Sequence, residues 1–267
     1  RYQKAKLLGY DSYAHYVTAE QMAGKPEAVY ELLEGLWTPA QERAKAELER
    51  MQSLFERDCG KDAKFESWDW WYYADKVREE DYQLEEDKVR AYLSLENAKS
   101  GIFFLANRLY GITLRPLKAP SYHEECEVYE VIDQDDKPLG ALYFDFHPRA
   151  SKQGGAWCGT YVDQSYKDGE RVCPVVSIVC NFTPASGGRP ALLSIDEVKT
   201  LFHEFGHALH NLFADVKYRG LAGVEGDFVE LPSQIMENWA FSEEMLKQYA
   251  VHHQTGEVMS DDMIAKI

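Results

Sequence analysis

Ser194 to Asn211 reads SIDEVKTLFHEFGHALHN, and this stretch decides how the rest of the chain is read. Val198, Leu201, Phe202, Phe205, Leu209 and Leu212 recur at helical period and form one apolar stripe. Ser194 followed by Glu197 is a capping box, and Leu193 with Val198 is placed as its hydrophobic staple. A helix therefore starts at Ser194 and packs on one side. His203, His207 and His210 fall as a row on the other side. His203-Glu204-Phe205-Gly206-His207 is an H-E-x-x-H pattern. Residues at i and i+4 lie about 40° apart around a helix, so His203 and His207 can reach one ion. Glu204 points about 100° away, towards a water on that ion. Neutral imidazoles suit Zn²⁺, and a catalytic zinc keeps one position open for water. The competing reading is a helix that carries two histidines and a glutamate by chance. The cap, the buried stripe and the opposed ligand row argue against it.

Such a site needs a third protein ligand. His210 shares the helix face, but i, i+4 and i+7 run in a line over roughly 10 Å and do not converge on a tetrahedral ion. Glu230 lies 23 residues after His207, at the start of the next helix, and is favoured. His210 is then a supporting or packing residue. Glu237, two turns after Glu230, either orients a ligand histidine through its second ring nitrogen or is a surface carboxylate. With one Zn²⁺ per chain, the expected chemistry is hydrolysis, with Glu204 as general base.

Around this helix the chain reads as mainly α with a small β-sheet (α+β). Residues 1–57 are helical, with restarts at Lys25-Pro26 and Thr38-Pro39. Residues 68–110 are aromatic and helical, broken near Glu96. Trp68 to Tyr73 reads as helical core packing rather than a stacking platform. From Glu127 the period shifts towards two. Glu127–Ile132 and Leu139–Phe146 form a hairpin across Asp133–Lys137, and Val175–Phe182 is the strongest strand. Gly154 to Tyr161 is either a loop or an edge strand whose glycines let a peptide backbone approach. Arg219 to Gly226 is a glycine-spaced loop, a candidate mobile or substrate-touching segment. Phe228 to Pro232 opens a helix to about Ala250. The two parts are residues 1–115, helical, and 120–267, a small sheet plus the metal-site helices.

A hydrophobic share of 45% indicates a packed core, not disorder. The net charge of −16 argues against nucleic acid as a partner. No apolar run reaches membrane-spanning length. Five cysteines without a C-x-x-C favour a reducing compartment. The chain opens at Arg1 and ends within a helical pattern, so it is expected to be a piece of a longer protein.

His203 to His210, with Asp227-Phe228-Val229-Glu230-Leu231-Pro232-Ser233-Gln234 and Glu237-Asn238-Trp239, resembles the thimet oligopeptidase and peptidyl-dipeptidase family. Leu7-Leu8-Gly9-Tyr10, Trp68-Asp69, Leu109 to Ile112 and Gly155-Ala156-Trp157 extend the resemblance over most of the chain. It implies a zincin-like fold with the H-E-x-x-H helix beside a mostly antiparallel sheet. It implies zinc on His203, His207 and Glu230, and Glu204 as base. It further implies that short peptides lie along an edge strand at Gly155 and Ala156, in a channel between two mostly helical halves. Asp227 to Gln234, Tyr249-Ala250 and Thr255 to Glu257 are closer to the bacterial peptidyl-dipeptidase branch. Family members continue beyond Ile267 into His and Tyr residues that stabilise the transition state. They also have a helical part ahead of Arg1. Weak or absent turnover is therefore expected from this chain alone. A monomer in the cytoplasm is expected, with the periplasm as the alternative compartment.

Overall fold

A computed structural model describes residues 1–82 and 85–267. Gln83 and Leu84, inside the run read as helical, lie outside the described residues. Among the described residues, ten α-helices and seven strands follow in order. They are α1 (Tyr2–Leu7), α2 (Tyr13–Thr18), α3 (Pro26–Cys59), α4 (Trp70–Tyr82), α5 (Glu86–Arg90) and α6 (Leu95–Tyr110). Next come β1 (Thr113–Pro116), β2 (Glu127–Ile132), β3 (Pro138–Asp145), β4 (Trp157–Val162), β5 (Ser165–Lys167), β6 (Glu170–Val172) and β7 (Val175–Val179). The chain closes with α7 (Ile195–Leu212), α8 (Leu231–Ala240), α9 (Glu243–Tyr249) and α10 (Asp261–Ile264). The chain is thus α+β, and it divides into two compact units.

The first unit holds residues 1–85 with 225–227 and Lys266. Its core is Met51, Leu54 and Phe55 of α3 against Tyr73 of α4, with Phe65 and Trp70 at the margin. Two sequence expectations are corrected here. Thr38-Pro39 does not restart a helix, because α3 runs through Pro39. The carbonyl that the Pro39 ring crowds belongs to Gly35, whose backbone is the freest to yield. The aromatic run is core only at Trp70 and Tyr73, while Trp68, Trp71 and Tyr72 are 60–81% exposed. The cause is helical period: consecutive aromatics point around α4, and only one stripe faces α3.

The second unit holds residues 86–224 with 228–265 and Ile267. Its five-stranded sheet has the order β1-β2-β3-β7-β4. Three of its pairings are antiparallel, and β3–β7 is parallel. Strands β1, β5 and β6 are additions to the sequence reading, too short to carry a periodic signal. The helical run near Glu96 breaks earlier than expected, at Ala91–Ser94, where the Ser94 hydroxyl caps α6. The last long helix is two, split at Phe241 and Ser242. Helix α7 packs against β4, β7 and α8, and its apolar stripe is fully buried.

At the end of β3, Asp145 is 2% exposed. It accepts two 2.8 Å bonds from Arg149 and one of 2.9 Å from Lys152, itself buried. Burial alone would raise this carboxyl, but those donors outweigh it and hold it at about 2. Its folded value is depressed from 3.8, so its stabilisation is complete above pH 4 and is lost as pH falls through 2. The expected loss is about 2 kcal/mol. An NMR titration of the Asp145 carboxyl should show its midpoint near 2, and a midpoint at the ordinary value would refute the linkage.

Candidate metal centre

The capping box forms as read. Glu197 N–H donates to Ser194 Oγ at 3.0 Å, and Ser194 N–H to Glu197 Oε2 at 2.8 Å. This fixes the start of α7, and hence the direction in which His203 and His207 project. Their rings lie 4.9 Å apart, centroid to centroid.

Glu230 is the N-cap residue of α8. Its Oε2 is 3.2 Å from Nε2 of both His203 and His207. The ligand atoms of His203, His207 and Glu230 lie within 4.8 Å of one another. His210 is not in that group.

Glu230 is aimed by a residue the sequence reading did not single out. Ser233, fully buried, donates to the Glu230 backbone carbonyl at 2.9 Å and to its Oε2 at 2.8 Å. That hydrogen bond is the main reason the Glu230 carboxyl is lowered. A serine three residues after a helix-capping carboxylate was the available signal.

Glu237 is not a free surface carboxylate. Its Oε1 lies 2.6 Å from His203 Nδ1, and Lys199 Nζ lies 3.0 Å from its Oε2. Burial works to raise Glu237, but the His203 and Lys199 contacts prevail and lower it. A histidine that donates its Nδ1 proton to Glu237 leaves Nε2 bare, facing Glu230 and His207. Burial lowers the His207 imidazole and so favours its neutral form.

These three facing acceptors suit a cation. Bonds of about 2 Å to a tetrahedral zinc put ligand atoms roughly 3.3 Å apart, close to the 3.2 Å from Glu230 Oε2 to each histidine Nε2. Glu204 adds a second observation. It is 6% exposed, and its buried Oε2 has no hydrogen-bond partner. Burial, with Glu230 adding to it, raises its carboxyl despite the nearby His203. A buried acceptor left free at such a site is suited to take a proton. The donor set and the free carboxylate fit Zn²⁺ with a water.

A cavity of about 370 Å³ opens beside these groups, lined by Ala156, Lys199, Thr200, His203, Glu204 and Glu237. Strand β4 is the sheet edge next to α7. Gly155 and Ala156 lie just ahead of it, not on it, because pairing with β7 begins at Trp157. The Gly155 carbonyl accepts a 2.7 Å bond from Asn181 Nδ2, which also donates to Gln153. The Gly155 φ of +91° requires glycine.

The family model of peptidase family M3 matches residues 1–267. The chain is 41% identical to the dipeptidyl carboxypeptidase of Salmonella typhimurium over 97% of its length, covering 38% of that protein. It is 35% identical to oligopeptidase A of Escherichia coli over its full length, covering 40% of that protein. Saccharolysin of Saccharomyces cerevisiae is 31% identical over 99% of the chain, with 40% of that protein covered. The chain spans about two fifths of the curated relatives it matches.

Proposed function

The chain belongs to peptidase family M3, and from that premise we propose that it carries the metal centre of a zinc peptidase acting on short oligopeptides. The observation that carries this reading is the convergence of His203, His207 and Glu230 beside the unpartnered buried oxygen of Glu204. His203, His207 and Glu230 would hold the ion, and Ser233 and Glu237 would orient two of those ligands. Zinc, when bound, supplies Lewis-acid polarisation of the scissile carbonyl and acidifies water. Glu204 takes the proton of the attacking water on its free Oε2 and returns it to the leaving amine. Gly155, Ala156 and the open edge of β4 align the peptide backbone as an added strand.

The dipeptidyl carboxypeptidase relatives, at 40–41% identity, support release of C-terminal dipeptides. Oligopeptidase A, at 35%, supports internal cleavage as the second reading. Five cysteines without a C-x-x-C support a reducing, cytoplasmic compartment. Among the described residues no helix is long and apolar enough to cross a membrane.

The deciding experiment is mass spectrometry of a defined peptide digested by the complete protein. Stepwise loss of C-terminal dipeptides is the expected pattern, and internal cuts would select the second reading. Absence of zinc from the purified protein would sink both. Glu237→Gln should weaken zinc binding about 10–100-fold, read by competition with a chromogenic chelator, because His203 loses the partner that sets its tautomer. Unchanged affinity would show that Glu237 serves packing alone.

A further inference from the structure

The edge strand leads to a second recognition element. At its far end, β4 carries a bulge at Tyr161, between the pairings Thr160–Val176 and Val162–Val175. Bulges end or redirect pairing. Directly beyond lies a cavity of about 470 Å³ that Lys167, Lys217 and Arg219 line together with Tyr166 and Tyr218. Three cations meet here in a chain of net charge −16. None of them has an ion-pair partner among the described residues. Asp163 also lines the pocket and accepts from Thr160 at 2.6 Å, Asp215 accepts from Tyr166 at 2.9 Å, and Glu170 stands opposite Lys167 in the β5–β6 pair, so three cations face these carboxylates without a direct ion pair to any of them. Lys217 Nζ stands 5.3 Å from the Tyr218 ring centroid, which leaves its charge unneutralised.

The spacing ties this pocket to the metal centre. Ala156 lines the cavity with His203 and Glu204, and Val162 lines the basic pocket. At about 3.3 Å per residue, an extended peptide spans that interval in roughly four to six residues. Resting on the reading of β4 as the peptide-aligning edge, we propose that Lys167, Lys217 and Arg219 form a subsite for an acidic side chain of the substrate. That side chain lies four to six residues before the scissile bond. Where a dipeptide is released, only two residues lie after that bond, so the pocket meets the N-terminal side of the substrate.

The test is equilibrium binding of dye-labelled decapeptides to the zinc-loaded Glu204→Gln form of the complete protein. Each peptide carries Gln or Glu at one position of an otherwise neutral sequence. The Gln-to-Glu ratio of Kd should reach about 3–10 only at the sixth to eighth residues from the C-terminus. It should fall to one at about 0.5 M salt. It should also fall to one when Lys167, Lys217 and Arg219 are all changed to Gln. A ratio near one at every position overturns the subsite, as does a ratio that survives the triple change or an absence of binding. Cleavage of the same peptides by the unsubstituted protein is scored separately. A position-dependent ratio without cleavage supports the subsite and sinks the peptidase reading, whereas cleavage with a flat ratio sinks the subsite alone.

Discussion

Glu204→Gln should lower kcat for peptide cleavage by about 10²–10⁴-fold while the protein still binds one equivalent of zinc. Glutamine keeps the volume and the hydrogen-bonding reach of the side chain but cannot accept a proton at physiological pH. Glu204 is not among the three converging ligand atoms, so the ion should stay. Burial already works against the charged form of this carboxylate, so the exchange also removes the cost of burying a charge. The variant should therefore be at least as stable as its parent. Activity of the complete protein on a quenched fluorescent peptide, with zinc read by atomic emission, checks both halves. Activity within tenfold of the parent would remove Glu204 from the role of base. Loss of zinc would make it a ligand instead.

Gly206→Ala should be the most disruptive single-methyl change in the site. Gly206 sits between the two histidines, on the side of α7 that meets α8. A Cβ there would stand 2.5 Å from the Pro232 carbonyl oxygen, 2.6 Å from Ser233 Cα and 3.0 Å from Met236 Cγ. The first two are backbone atoms of the turn that begins at Glu230, so no side-chain rotation relieves the clash. Overpacking of this kind costs about 3 kcal/mol. If α8 stays, the expected result is a fall in Tm of about 5–10 °C. If α8 retreats, Glu230 leaves the two imidazoles, and restoring the three-ligand geometry costs about a hundredfold in zinc affinity. Thermal melts with and without zinc, together with chelator competition, distinguish the two routes. A variant matching its parent in both would show that α7 and α8 are not closely apposed at this point.

Much of this centre was legible before any coordinates. The capping box, the apolar stripe and the opposed histidines depend on interactions within one helix. Helical period converts sequence spacing directly into direction, so those features read off locally. Glu230 was legible for a geometric reason: a straight helix cannot fold three of its own side chains around one ion. The illegible residues are those whose role depends on a neighbour distant in sequence. Ser233 is the exception: it aims Glu230 from only three residues away, a local spacing that was open to reading. Gly206 counts as a helix-weakening glycine until α8 is laid across it. Asn181 reaches Gly155 only because β7 and β4 are paired.

The same division explains the errors. Trp68 to Tyr73 presents the expected helix but not the expected burial, since which stripe of α4 is covered depends on where α3 lies. Gly155 and Ala156, open to either a loop or an edge strand and placed on the strand by the resemblance alone, lie just ahead of it, since pairing starts at Trp157. Period and capping are local, so residues 195–212, the two faces of that helix and the histidines proposed to hold the ion could be read from the chain alone. The contacts that Glu230 and Glu237 make with those histidines, and the place of β4 as the sheet edge beside them, come from the tertiary packing. Those facts depend on long-range packing, in which the same local pattern is compatible with many neighbours.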